Sequence, residues 1–155
     1  MRSLKLVKLR WKLLLLGLIK IPMIHFVRPK LISIDESHCV IKIKLRRRCK
    51  NHLNSMYFGA LAVGADVAAG IHAYYFSELL NRKISLVFKS MTVEFLKRAE
   101  TDVIFKSSKG LDIAQMLDKS IKEAQRINKI IEVRAENTAG EIVAVFQLEL
   151  SLKAI

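Results

Sequence analysis

The chain has 155 residues, the size of one domain, with 52% hydrophobic residues and only 6 Gly and 2 Pro, which excludes a disordered polycation or a loop-dominated fold. Lys and Arg total 27 against 14 Asp and Glu, a net charge of +13. Two cysteines, Cys39 and Cys49, and four scattered His fit neither a disulfide framework nor a zinc pattern, so no metal and no other cofactor is expected, and a reduced, cytoplasmic setting is.

Residues 1–28 read as a basic amphipathic helix: Lys5, Lys8, Arg10 and Lys12 precede an apolar run at 13–19 that Lys20 ends. Seven apolar residues cannot cross a bilayer, which needs ~20, and no small-x-small cleavage site follows. Packing on the domain is the plain reading. Shallow contact with anionic lipid, peripheral to the inner membrane, is the alternative, because the segment has no acidic residue.

Residues 30–34 and 40–46 read as a pair of strands, the second alternating apolar and basic positions. The run at 56–76 is crowded with Gly and Ala, which suits a membrane helix or a helix wrapped by a sheet. Asp66 at mid-span would be costly in lipid, and strand-like segments elsewhere need an apolar surface to cover, so a buried helix ending near Leu80 is expected. Residues 84–96 and 102–106 read as strands, and from Asp112 a helical period sets Ile113, Leu117, Ile121 and Ala124 on one face. Residues 130–136 and 141–153 are two further strands joined by a turn at 137–140. One α+β domain over 29–155, an antiparallel sheet curled round a central helix behind an extra N-terminal helix, satisfies this order.

The informative segment runs from Asn51 to Asp66, through Asn51-His52-Leu53-Asn54-Ser55-Met56-Tyr57-Phe58-Gly59-Ala60-Leu61. With the element order, it resembles the hot-dog-fold acyl-CoA thioesterases of the phenylacetate-pathway type. It is most similar to an uncharacterised thioesterase-like branch of that superfamily with the signature N-H-x-x-S-M-Y-F-G-A-L. Many relatives carry an Asn, then His-Gly-Gly six residues on, then a carboxylate seven residues after the second Gly. Asn51, Gly59 and Asp66 match at those spacings, whereas Tyr57 replaces the His and Phe58 the first Gly. Phe88 falls about where some relatives place a Ser that assists the reaction, and residues 95–99 match an aromatic residue followed by a short segment ending in Ala.

The resemblance implies a hot-dog domain that hydrolyses acyl-CoA or acyl-carrier-protein thioesters, as a homodimer or tetramer with the pocket between two subunits. Tyr57 and Phe58 motivate an alternative, a non-catalytic acyl-CoA or fatty-acyl binder. Physically, a helix opening at 56–59 presents unpaired N–H groups at the positive end of its dipole, where a thioester oxyanion would be held. Phe58 and Gly59 would donate through the backbone. Asp66, two turns beyond Gly59, would activate water or attack the acyl carbon, or else be a buried carboxylate that serves the fold. Asn51 orients water or carbonyl, or closes a turn; Tyr57 walls the pocket or donates its hydroxyl. His52 and His72 read as surface or packing residues.

Arg47 and Arg48, with Lys97 and Arg98, form either a solvated basic face or an attractor for coenzyme A phosphates at the pocket mouth. Nucleic acid is not an expected partner, since aromatics are 7% and no recognition motif is present.

Overall fold

The structure, a computed structural model, describes residues 2–155, with side chains from Leu4 onward. The basic N-terminus forms α1 (Arg2–Leu15), which loosens into a π-helical turn (Leu16–Lys20). Pro22 then opens a short α2 (Pro22–Val27), where its missing N–H and fixed φ suit the first helical position. Gly17 permits this reversal, because a Cβ there would lie 2.9 Å from the backbone nitrogen of His25. The chain leaves α2 through Arg28 in a left-handed conformation, φ 57°.

Two strands follow, β1 (Lys30–Ile34) and β2 (Cys39–Ile43), paired antiparallel. The Asp35 carboxylate closes their turn by accepting the N–H groups of Ser37 and His38, both at 2.8 Å. These bonds hold its pKa below the usual carboxylate range. After a 3-10 turn (Arg47–Cys49) comes α3 (Phe58–Leu80), then β3 (Ile84–Phe95), β4 (Val103–Ser107), α4 (Gly110–Glu123), β5 (Ile127–Glu136) and β6 (Ile142–Ala154).

The six strands make one antiparallel sheet in the order β1-β2-β4-β5-β6-β3. The sheet packs its buried residues, Ile41, Phe105, Val133, Phe146 and Leu148 among them, against α3, whose Ala65, Ala68, Ala69 and Ala73 are all fully buried. Small side chains let strands and helix approach closely; the ring of Phe105 occupies the place a Cβ on Gly64 would take. His72 is also fully buried, its Nε2–H donating to the Asp35 carbonyl at 3.0 Å, so it ties α3 to the β1–β2 turn.

The wrapped-helix architecture is the one expected from the sequence. Two details differ. On α4 the buried stripe is Ile113, Met116, Leu117 and Ser120, while Ile121 is exposed and Ala124 ends the helix at φ 54°. The left-handed cap turns the chain away before a further apolar turn can form. β5 starts three residues earlier than predicted, because Ile127, Asn128 and Lys129 pair with β6 although they do not alternate.

Candidate active site

Asp66, Gly70, Tyr74 and Glu78 recur every four residues along α3 and therefore share one face. The N-terminal segment crosses that face. Lys12 forms an ion pair with Glu78, and its ammonium lies 5.5 Å from the centre of the Tyr74 ring. Beneath the crossing is a cavity of about 300 Å³. Asp66, Gly70 and Tyr74 form its floor, Leu86 and Phe88 of β3 one wall, and Leu16, Ile19 and Ile21 its roof.

Asp66 is the one acidic group of a mostly apolar chamber whose rim also carries Lys12 and Lys20. Its carboxylate has no hydrogen-bond or ion-pair partner among the described residues, and burial pushes its pKa up to about 6. Nothing compensates the desolvation, so the charged form is disfavoured, yet it still dominates above neutral pH. Burial, and then the charge of Asp66, push the Tyr74 hydroxyl upward as well. Tyr74 is not among the residues the sequence nominates, although its spacing of eight from Asp66 already put it on the same helical face.

The leading end of α3 borders a different cavity, of about 530 Å³, lined by Asn51, Tyr57, Phe58, Phe95, Lys97 and Arg98 among others. Asn51 is committed to its own loop. Its Oδ1 accepts the N–H groups of Leu53 (2.9 Å) and Ser55 (3.2 Å), and its amide donates to Ser55 Oγ at 2.9 Å. The Tyr57 carbonyl takes the N–H groups of Ala60 and Leu61, and no side chain caps the helix. The N–H groups of Phe58 and Gly59 are therefore left without intrahelical acceptors.

The Tyr57 ring folds back over Gly59, where a Cβ would come within 2.6 Å of it, and lies tilted against Phe58 with ring centres 4.6 Å apart. Phe58 is 60% exposed. Lys97 pairs with Glu141, and Arg98 lies 3.8 Å from Glu100. Arg47 and Arg48, on the 3-10 turn, line neither cavity; the Arg48 guanidinium sits 5.7 Å from the Phe26 ring.

Within one chain, then, Asp66 and Phe88 share one chamber, while Asn51, Tyr57, Phe58, Lys97 and Arg98 share another. The two-turn spacing that sets Gly59 and Asp66 on one face also separates them by ~10 Å along the axis, too far for one thioester group to meet both. Among the described residues no cluster of three or more His, Cys, Asp or Glu side chains could hold a metal ion.

The model of a family described as a domain of unknown function, DUF4442, matches residues 10–152. The chain belongs to this family. No curated protein matches it.

Among solved structures, this DUF4442 chain is similar to a Shewanella oneidensis protein provisionally described as a thioesterase, with TM-score 0.80, 15% identity, and 97% of this chain and 99% of that one covered. A Chlorobaculum tepidum protein of unknown function aligns with TM-score 0.83 and 12% identity over 98% of this chain and 96% of its own. A Haemophilus influenzae thioesterase aligns with TM-score 0.65 and 12% identity over 90% and 88%. At such identities the likeness establishes the fold. It is the hot-dog fold.

Proposed function

We propose that this DUF4442 chain hydrolyses acyl-CoA or acyl-carrier-protein thioesters, as a dimer. The observation that carries this reading is Asp66: a carboxylate on the central helix that faces a mostly apolar cavity and has no hydrogen-bond or ion-pair partner among the described residues. Such an arrangement costs stability and suits a general base working near neutral pH. The cavity would take the acyl chain. Asp66 would draw a proton from water as the water oxygen bonds to the acyl carbon. Main-chain N–H groups at a helix start would hold the resulting oxyanion. Collapse then breaks the carbon–sulfur bond, and the proton passes to the departing thiolate, leaving a carboxylic acid and a thiol.

The dimer supplies what one chain keeps apart. β3 is an edge strand of 12 residues, hydrogen-bonded only to β6, with Val87, Met91 and Phe95 exposed. A long unpaired edge of this kind is a template for a second strand. Its Phe88 borders the Asp66 cavity and its Phe95 borders the cavity at the start of α3. Antiparallel pairing of β3 with its copy reverses direction, which would bring the Phe88 end of one strand toward the Phe95 end of the other. The base of one subunit would then meet the helix-start donors of its partner.

The test is thiol release from a panel of acyl-CoA thioesters. Wild type is expected to turn over at least one chain length, with activity falling as pH drops through about 6, where Asp66 takes up its proton. Asp66→Asn is expected to lose ~10²-fold or more in kcat, the usual contribution of a positioned base. If wild type and the variant both match the buffer blank across the panel, hydrolysis is wrong. Ligand-dependent thermal stabilisation without turnover would then favour the binder, which the bulky Tyr57 and Phe58 motivate.

A further inference from the structure

The N-terminal segment has two apolar sides, and the fold uses one. Leu9, Leu13, Gly17, Ile24 and Val27 are buried against the domain. On the outer side Leu4, Val7, Trp11, Leu14 and Leu18 recur every three or four residues, between 42% and 68% exposed. Ile19, Met23 and Phe26 carry this surface across the turn onto α2, at 69%, 59% and 51%. An exposed stripe so long is unusual for a soluble surface and marks an interaction site.

Its charge indicates what covers it. Lys5, Lys8, Lys20 and Arg28 flank the stripe and form no ion pair among the described residues, although the Lys8 charge helps to lower the Glu78 pKa and Lys20 borders the Asp66 cavity. The sequence has no acidic residue before Asp35. Pairing this face with its own copy would set these cations against one another. No described helix is long and apolar enough to cross a membrane, so an occupant that takes both apolar and basic groups must be met side-on.

We infer that the outer face of residues 4–28 docks on the surface of an anionic lipid bilayer, with the apolar stripe at the headgroup boundary and the flanking cations on lipid phosphates. Leu15, Ile19 and Ile21 belong both to this exposed face and to the lining of the Asp66 cavity, so docking sets the cavity roof against the lipid. The docking itself does not rest on the proposed hydrolysis.

Trp11 is the only tryptophan of the chain and lies in the stripe, 60% exposed, so it reports directly on the contact. The full chain should co-sediment with phosphatidylcholine vesicles that contain phosphatidylglycerol and stay in solution with phosphatidylcholine alone. Trp11 emission should shift to the blue on the anionic vesicles, and added salt should reverse both effects. Leu18→Glu with Met23→Glu, both at exposed positions, should lower the bound fraction about tenfold or more, and Lys8→Glu with Lys20→Glu should do the same.

Equal behaviour with the two lipids overturns the proposal, as does sedimentation without a Trp11 shift. A blue shift that appears without vesicles, together with a concentration-dependent doubling of mass, assigns the face to a second copy and also overturns it. Should the glutamate variants fail to fold, quenching of wild-type Trp11 by brominated phosphatidylglycerol decides the matter: quenching supports the docking, and its absence refutes it.

Discussion

Two apolar helical stretches of this chain meet opposite fates. α3 is buried along nearly its whole length, whereas the N-terminal segment buries a single stripe and leaves the other side open. Charge separates them in part, since α1 carries Lys5, Lys8, Arg10 and Lys12 where α3 has only Asp66 and Glu78, and side-chain size separates them further. Gly64, Ala65, Ala68 and Ala69 keep α3 thin enough for a sheet to close around it, and the Phe105 ring rests directly on Gly64. Leu4, Leu14, Leu15 and Leu18 make the N-terminal segment wide, so it lies across the domain instead of inside it. The contrast breaks most sharply at the ring. Phe105→Ala should cost ~3–5 kcal/mol, because the void beside Gly64 has no side chain to fill it. Chemical denaturation should show this as a large fall in midpoint with little change in slope. A loss below ~1 kcal/mol would mean that the sheet does not bear tightly on α3.

The next effect concerns the one carboxylate that α3 carries into the mostly apolar chamber. Burial raises the folded-state pKa of Asp66 to about 6 from an ordinary 3.8. The folded chain thus holds the proton more tightly than the unfolded one between these values. Its contribution to stability is fully present below pH 3.8 and is lost as pH rises through about 6. Asp66→Asn removes the cost of burying the charge. The variant should be more stable than wild type by up to ~3 kcal/mol at pH 8 and nearly equal to it at pH 3.5. Paired with a loss of hydrolysis, a higher Tm at alkaline pH would identify Asp66 as a functional residue held at a cost to the fold. An unchanged difference across the pH range would show that the carboxylate is solvated.

A smaller effect lies four residues along the same face. A Cβ on Gly70 would make ordinary contacts with Phe88 (3.6 Å) and Leu86 (3.8 Å), on the cavity wall. Gly70→Ala should therefore gain up to ~1 kcal/mol from helix propensity while removing a methyl's worth of space from the chamber. Under the hydrolase reading, the preferred acyl chain should shorten in the same thioester panel. A stability loss instead would show that the cavity is already filled in the free protein.

Much of this arrangement is legible in the sequence, for identifiable reasons. The alternation of Ile142, Ala144, Phe146, Leu148, Leu150 and Leu152 gives β6, and the small-residue run gives a helix that something must enclose. Both are local signals. The residues that roof Asp66 are not local to it: Leu16, Ile19 and Ile21 lie some 50 residues upstream, and no periodicity announces which face of α3 they cover. Tyr74 could have been found, since Asp66, Gly70 and Tyr74 keep one helical spacing. That the start of α3 opens into a separate cavity could not, because residues 95–99 reach it only through the sheet.

The smallest effect tests the open side of the comparison. Val7 lies on the outer stripe of α1, 44% exposed, with Leu6 on the packed side next to it. Val and Ser have nearly equal helix propensities, so Val7→Ser changes surface chemistry without penalising the helix. If nothing in the chain covers this face, the free protein should lose no more than ~0.5 kcal/mol, the range of ordinary surface substitutions. The urea midpoint of the isolated protein measures this. A loss of ~2 kcal/mol, the size seen for buried side chains, would mean that the outer face is already covered in solution. The two stretches would then differ in what encloses them and not in whether they are enclosed.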